Sequence, residues 1–209
     1  MARAEKPSGR KRPSFDTSLT RRTGHRESKQ RLLVVCGAKV TERDYLQGLK
    51  SSVRNSAVSL RIVEHPRSPS QVVDHAVLLR DQAGGEYDAT WCVLDVDDFP
   101  DLERTAVEAR RKNIEVAFSN PCFEVWLLLH FKDYRRPARS FKELMPVLGE
   151  VFPAGYGKTG MKFDRYAPHW RLAARRAEQL AEWGKEHEVN PSTGMWKLAL
   201  AIGGGEARL

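Results

Sequence analysis

The sequence TWCVLDVDDF, residues 90–99, gives the strongest indication of the fold. Residues 90–94 are apolar, aromatic or β-branched, which is typical of a strand buried on both faces of a parallel sheet. Three aspartates, Asp95, Asp97 and Asp98, follow where this strand should end. Ligands of open α/β sheets bind outside the carboxyl ends of the strands. The segment therefore predicts a central strand with a polar site at its end.

The same kind of pattern extends in both directions from this strand. Further strands are predicted at 31–36, 58–64 and 114–118, with helices at 41–55, from 70 to about 83, and at 102–112. This alternation is typical of an α/β fold with a mostly parallel four-stranded sheet and flanking helices. Later helices are predicted at 123–131, 141–151, 166–187 and 194–202. We therefore expect one domain over 30–209, with an α/β core at about 30–131 and a helical C-terminal extension at about 132–209.

The composition excludes several classes of protein. The chain has 209 residues, of which 41% are hydrophobic and 30% charged, so it can form a full globular core. No apolar run approaches the length that crosses a membrane, and no signal-peptide pattern begins the chain, so we expect a cytoplasmic protein without membrane contact. Three widely spaced cysteines fit neither a disulfide framework nor a zinc pattern.

Most of the positive charge lies at the N-terminus. Of the formal charge of +8, residues 1–30 carry nine Lys/Arg against three Asp/Glu. Few apolar residues occur there, so residues 1–29 are predicted to be a disordered basic tail. Such a tail could attract nucleic acid phosphates, or could serve only as a solubilising leader.

The aspartates after residue 94 are the first candidate metal ligands. In an extended chain Asp95 and Asp97 point to the same side, and two carboxylates facing one way repel each other unless a cation lies between them. Oxygen ligands suit Mg²⁺, or Mn²⁺ in its place. Asp98 joins the set if the chain turns after the strand. The alternative is an ordinary loop in which Asp98 or Asp101 caps the next helix.

Two other predicted strand ends carry polar residues toward the same edge. After the fourth strand come Asn120, a possible helix cap or phosphate ligand, and Glu124, which either complements the helix dipole or binds metal or water. After the first strand come Lys39, a candidate phosphate contact, and Glu42, at the start of a helix that Thr41 is predicted to cap. No phosphate-binding loop of the GxxxxGK[ST] type is present.

A late segment mixes basic and aromatic residues. Between Tyr156 and Trp170 the chain carries Lys158, Lys162, Arg165, Tyr166 and His169. Such a segment could follow a nucleic acid backbone and stack a base, with Lys158 as a substrate contact. The alternative is an ordinary protein surface. His130, within an apolar helix, is predicted to be a hydrogen-bonded core residue.

Four blocks together resemble the RloB-like family. They are Val35-Cys36 with Thr41, Glu42 and Tyr45; WCVLDVDDF; SNPCFEVWLLLHF at 119–131; and Asn190-Pro-Ser-Thr193. The resemblance covers about 31–201. It implies a Toprim-like fold, related to nuclease domains of phage defence, whose DxD aspartates hold Mg²⁺ while a glutamate after the first strand acts as acid/base or further ligand. It also implies an AAA-type ATPase partner, as in abortive-infection loci.

The chain departs from the family pattern at one position. The family commonly has glutamate directly after the first-strand cysteine, where this chain has Gly37. General-base chemistry would then depend on Glu42, Glu124 or a bound water. The leading hypothesis is a Mg²⁺-dependent endonuclease with Glu42, Asp95, Asp97 and Glu124 as catalytic residues. The alternatives are a catalytically degenerate module that binds nucleic acid or a partner, and a nucleotide-responsive regulator.

Overall fold

The computed structural model describes residues 29–96, 99, 101–152, 155–157 and 161–204. The predicted N-terminal tail therefore lies outside the described residues, apart from residue 29. The elements in chain order are β1 (Gln30–Cys36), α1 (Thr41–Val53), β2 (Val58–Glu64), α2 (Pro69–Gln82), β3 (Ala89–Asp95), α3 (Leu102–Arg111), β4 (Glu115–Asn120), α4 (Glu124–Leu129), α5 (Phe141–Val151), a 3-10 turn (Phe163–Arg165), α6 (Trp170–Glu178), β5 (Ser192–Thr193) and α7 (Met195–Gly203).

The strands form one sheet in the order β2-β1-β3-β4-β5. The first four are parallel, and β5 pairs antiparallel with the end of β4. The prediction of a mostly parallel α/β sheet is confirmed. The central strands β1 and β3 are apolar because they are covered on both faces. The more polar β2 lies at an edge.

Each face of the sheet has its own apolar core. Leu33, Cys92 and Phe118 pack with α2 and α3 on one face, which we call the α3 face. Their neighbours in the strands, such as Val34 and Val93, pack with α1, α4, α6 and α7 on the other, the α4 face. This division follows from the two-residue period of side chains along a strand. The period also fixes the face toward which a strand's last residue points.

The segment 166–187 differs most from its prediction. Only Trp170–Glu178 is helical, followed by turns up to β5. Gly184 has φ 86°, a backbone conformation that ends a right-handed helix, and the buried Glu186 accepts a hydrogen bond from the Gly184 amide at 2.9 Å. The single helix predicted for 166–187 is therefore wrong at 166–169 and after residue 178.

Strand β5 has no counterpart in the sequence prediction. It contains two small polar residues, and the hydroxyls of Ser119 and Thr193 are 2.8 Å apart across the pair. A two-residue strand is too short for an alternating pattern to show. No helix among the described residues is long and apolar enough to cross a membrane.

Candidate metal centre at the carboxyl edge of the sheet

Asp95 is the last residue of β3, at the carboxyl edge of the central strands. It pairs in register with Ser119 of β4, and Val93 of the same strand pairs with Cys36 of β1. Because Val93 faces the α4 side, the alternation of the strand directs Asp95 to that face as well. Its side chain is partly buried. Asp97 and Asp98 lie outside the described residues.

The loop between β1 and α1 is held in a strained turn. Val40 has φ 71° and ψ −66°, and the Thr41 amide donates to the Lys39 carbonyl at 2.9 Å, which makes a γ-turn. Positive φ is costly for a β-branched residue, and such strain often occurs at functional sites. The prediction that Thr41 caps α1 is wrong, because Val40 occupies the N-cap position and Thr41 is the first helical residue.

Glu64, at the end of β2, holds this turn in place. One of its carboxylate oxygens accepts from the Val40 amide at 2.7 Å, and the other accepts from the Arg43 guanidinium at 3.2 Å. The sequence prediction missed this role of Glu64. A glutamate that ends a strand gives no pattern by which its partner can be found.

The strained turn places Glu42 inside the protein. Its side chain is only 3% exposed, although it belongs to the first turn of α1. Burial, and then the neighbouring Glu42 carboxylate, raise the pKa of the Cys36 thiol at the end of β1. Glu42 therefore lies beside the last residue of β1, on the α4 face to which Cys36 belongs.

Glu124 is the first residue of α4 and is also buried, at 3% exposure. The Tyr156 hydroxyl donates a hydrogen bond to its carboxylate at 3.0 Å. Burial, and then the Glu124 charge, raise the pKa of Tyr156, so this hydroxyl stays protonated and remains a donor. The sequence placed Tyr156 in a predicted stacking segment and gave no sign of this contact, because Tyr156 and Glu124 are 32 positions apart.

Cys122 connects Asp95 with Glu124. Burial raises the pKa of its thiol first, and the carboxylates of Glu124 and Asp95 raise it further. Both carboxylates therefore lie close enough to Cys122 to act on its charge. Asp95 and Glu124 thus both act on Cys122, and Glu42 lies beside Cys36 at the end of β1, so the three come from three elements at one edge and on one face of the sheet. Carboxylates at one edge offer oxygen donors of the kind that a hard divalent cation prefers.

The predicted substrate contacts have different surroundings. Asn120 is buried, and its amide nitrogen donates to the backbone carbonyls of Glu186 and His187 at 3.4 and 3.2 Å, so it ties the late loop to β4. The Lys39 side chain is exposed beside the strained turn. Lys158 lies outside the described residues.

The aromatic residues of the late segment belong mainly to the core. Tyr166 is 4% and Trp170 6% exposed, and both pack into the α4-face core. Neither ring is free to stack a base. For these two residues the expectation of a nucleic acid stacking surface is wrong.

Gly37 has a packing reason in this structure. A Cβ placed there would lie 3.0 Å from Leu94 Cδ2 and 3.3 Å from the Val93 carbonyl oxygen. It would point toward Leu94 and Val72, which belong to the α3-face core. A side chain at position 37 would therefore start on the face opposite to Glu42 and Asp95, in space that is already filled.

A buried pair fixes α4 against α1. His130 Nδ1 donates to the Trp126 carbonyl at 2.9 Å, which leaves Nε2 as acceptor for the Tyr45 hydroxyl at 3.0 Å. Burial lowers the pKa of His130 to about 3, so the ring is neutral. Tyr45 follows Glu42 by one helical turn, and His130 caps the C-terminus of the helix that begins with Glu124. The prediction of a satisfied core histidine is confirmed.

A comparison with known families gives one match. The family model described as RloB-like protein matches residues 32–202, which include all the described elements except the first two residues of β1 and the last residue of α7. No curated protein matches the chain. No solved structure matches it either.

Proposed function

Because the chain belongs to the RloB-like family, we propose that it is a Mg²⁺-dependent nuclease of the Toprim type. It would cleave nucleic acid in anti-phage defence, in the cytoplasm and together with an AAA-type ATPase partner. One observation carries the proposal: Glu42, Asp95 and Glu124 all lie at the carboxyl edge of the sheet on its α4 face. The sequence adds Asp97 and Asp98 directly after Asp95.

The donor set fits a hard divalent cation. Glu42, Asp95 and Glu124 offer carboxylate oxygens, and Asp97 and Asp98 would complete the set. A bound Mg²⁺, or Mn²⁺, would stabilise negative charge on the phosphate that is being cleaved. Burial strengthens its attraction to Glu42 and Glu124, because an ion pair is screened less in the protein interior than in water.

The individual side chains have distinct roles in this proposal. Asp95, with Asp97 and Asp98, holds the metal ion. Glu42 and Glu124 orient an attacking water or accept its proton. The Tyr156 hydroxyl holds one Glu124 oxygen, so that the other is directed for this task.

Contacts with nucleic acid would come from positive charge around this edge. Lys39 is exposed next to the strained turn and can reach a phosphate. Lys158 and the basic N-terminal residues are further candidates by their charge. The ATPase partner and the defence role rest on the resemblance of the sequence to the family.

A cleavage assay with matched variants tests the proposal. Purified protein is incubated with plasmid DNA, single-stranded DNA or total RNA, in Mg²⁺, Mn²⁺ or EDTA. We expect metal-dependent cleavage that Asp95→Ala with Asp97→Ala abolishes, and that Glu42→Gln or Glu124→Gln reduces at least tenfold, about 1.4 kcal/mol of activation free energy. Asp81→Asn, at an exposed helical position paired with Arg80, is the control and should cleave as the wild type does. Undiminished cleavage by the Asp95/Asp97 variant would refute the proposal.

Gly37 favours a second candidate, a degenerate module that binds nucleic acid or its partner without cleaving. The position lacks the usual glutamate, and a Cβ there would press against Leu94 and the Val93 carbonyl. A Mn²⁺ titration separates the two. A nuclease should bind Mn²⁺ in a manner that Asp95→Asn weakens, whereas a degenerate site should bind the ion poorly in both proteins.

A further inference from the structure

A second group of potential metal ligands lies on the α3 face. Glu103, in the first turn of α3, approaches His187 and Glu188 of the loop before β5, and one ligand atom from each lies within 4.8 Å of the others. His187 Nε2 is 2.6 Å from a Glu103 oxygen and 3.8 Å from a Glu188 oxygen. We propose that these three residues bind a divalent transition-metal ion such as Zn²⁺ or Co²⁺.

The imidazole is held rigidly and presents one edge to the two carboxylates. Only 6% of the His187 side chain is exposed, and the ring packs against Phe118 with centroids 5.2 Å apart. The His187 carbonyl accepts a hydrogen bond from Asn120, which fixes the loop to the end of β4. A buried imidazole that directs Nε2 outward is already oriented as a metal ligand.

The charges of the group call for a further cation. Within the part of the chain that the structure describes, Glu103 and Glu188 form ion pairs with no residue other than His187. Two carboxylates therefore surround one imidazole, which carries at most a single positive charge. A dication bound to a neutral His187 imidazole balances the charge of both carboxylates.

The distances are within reach of coordination. Two ligand atoms that each lie about 2.1 Å from an ion are about 3–4 Å apart. The contact between His187 and Glu103 must therefore open by a few tenths of an ångström, and any separation near the 4.8 Å limit of the group must close by just under about 1 Å. Both carboxylates can move, because their side chains are 70% and 54% exposed.

The ligand chemistry selects the class of metal. Imidazole with carboxylates suits Zn²⁺, Co²⁺ and similar ions, whereas Mg²⁺ prefers oxygen alone. His187 Nδ1 is buried and has no hydrogen-bond partner among the described residues. The usual second-shell acceptor that raises the affinity of a metal-binding histidine is therefore lacking, and we expect moderate rather than tight binding.

This site is separate from the proposed nuclease centre. Phe118, against which His187 packs, belongs to the α3-face core, whereas Asp95 faces the α4 side. The ion would link the first turn of α3 to the loop before β5. The proposal does not depend on nuclease activity.

Binding of Co²⁺ and Zn²⁺ to tag-free protein tests this proposal. We expect the wild type to bind Co²⁺ saturably, with visible absorption typical of mixed nitrogen and oxygen ligands, and Zn²⁺ to displace it. Zn²⁺ should also raise the melting temperature, because an ion that binds only the folded state stabilises it. His187→Ala should lose the absorption band.

Two further variants keep the test decisive even if the buried His187 is needed for folding. Glu103→Gln with Glu188→Gln changes only exposed side chains and should lower Co²⁺ affinity at least tenfold without unfolding the protein. Asp95→Asn should keep the band and the affinity. The proposal is overturned if the wild type shows no saturable Co²⁺ binding, if the double variant binds as the wild type does, or if Asp95→Asn removes the band.

Discussion

Replacing Tyr45 by phenylalanine should destabilise the protein and disturb the carboxylate site. The hydroxyl is fully buried and donates to His130 Nε2 at 3.0 Å, and the bond from Nδ1 to the Trp126 carbonyl prevents the ring from offering a donor instead. Tyr45→Phe therefore leaves a buried acceptor without its donor, at a cost of about 1–3 kcal/mol in the free energy of unfolding. Urea denaturation followed by tryptophan fluorescence measures this loss.

A matched control separates the buried bond from the loss of a hydroxyl in general. Tyr87 accepts a hydrogen bond from Arg61 at 2.7 Å near the surface. Water can replace that partner, so Tyr87→Phe should change the free energy of unfolding by less than about 0.5 kcal/mol. If Tyr45→Phe and Tyr87→Phe have the same free energy of unfolding, the buried pair does not hold α1 and α4 together.

The same pair predicts a dependence of stability on pH. Burial lowers the pKa of His130 to about 3, whereas an unfolded histidine titrates near about 6.5. Between these values the unfolded state binds a proton that the folded state does not, so stability falls as the pH falls, by up to about 1.4 kcal/mol per pH unit. His130→Gln should reduce this slope between about pH 6 and about pH 4. Equal slopes in the wild type and His130→Gln would contradict the assignment of a neutral buried ring.

Three further predictions concern the edge of the sheet and the N-terminal residues. Gly37→Glu should lower the free energy of unfolding by about 1–3 kcal/mol through overpacking against Leu94, without raising the cleavage rate. Gly149→Glu is the control and should not destabilise the protein, because an added Cβ there meets nothing within 4 Å. A Gly37→Glu protein that cleaves faster and is equally stable would show that the site only lacks its glutamate. Glu64→Ala should lower the free energy of unfolding by about 1–3 kcal/mol and slow cleavage, because the turn at Val40 loses the acceptor that holds it. Glu86 is an exposed ion-pair partner of Arg31, and equal effects of Glu86→Ala would refute that explanation. Removal of residues 1–29 should weaken nucleic acid binding in a filter-binding assay and make the binding less dependent on salt, since nine Lys/Arg occur in residues 1–30. An unchanged dependence on salt would favour the solubilising role.

The sequence predicted the four parallel strands well because each is a strong local pattern. β2 was predicted with its observed bounds, and β1 and β3 within one residue. The placement of Asp95, Glu42 and Glu124 at one edge followed from topology alone, since parallel strands end at the same edge. These predictions needed only the two-residue period and the positions at which apolar runs stop.

What the sequence could not reveal depends on contacts between distant residues. The hydrogen bond from Tyr156 to Glu124 and the hold of Glu64 on Val40 arise from packing, not from spacing along the chain. The strained backbone at Val40 contradicts local propensity, because valine rarely adopts positive φ. Such local contradictions are expected where a structure serves a site and the surrounding contacts offset the strain.

The position of Gly37 changes how the departure from the family pattern is understood. A residue after Cys36 points to the α3 face, while the buried carboxylates all lie on the α4 face. In this backbone a side chain at position 37 would start on the face opposite to Glu42, Asp95 and Glu124. Glu42 lies beside Cys36 instead, because the turn at Val40 brings the first turn of α1 to the end of β1. The missing glutamate and the strained turn are therefore parts of one arrangement, in which the helix rather than the strand supplies the carboxylate at the end of β1.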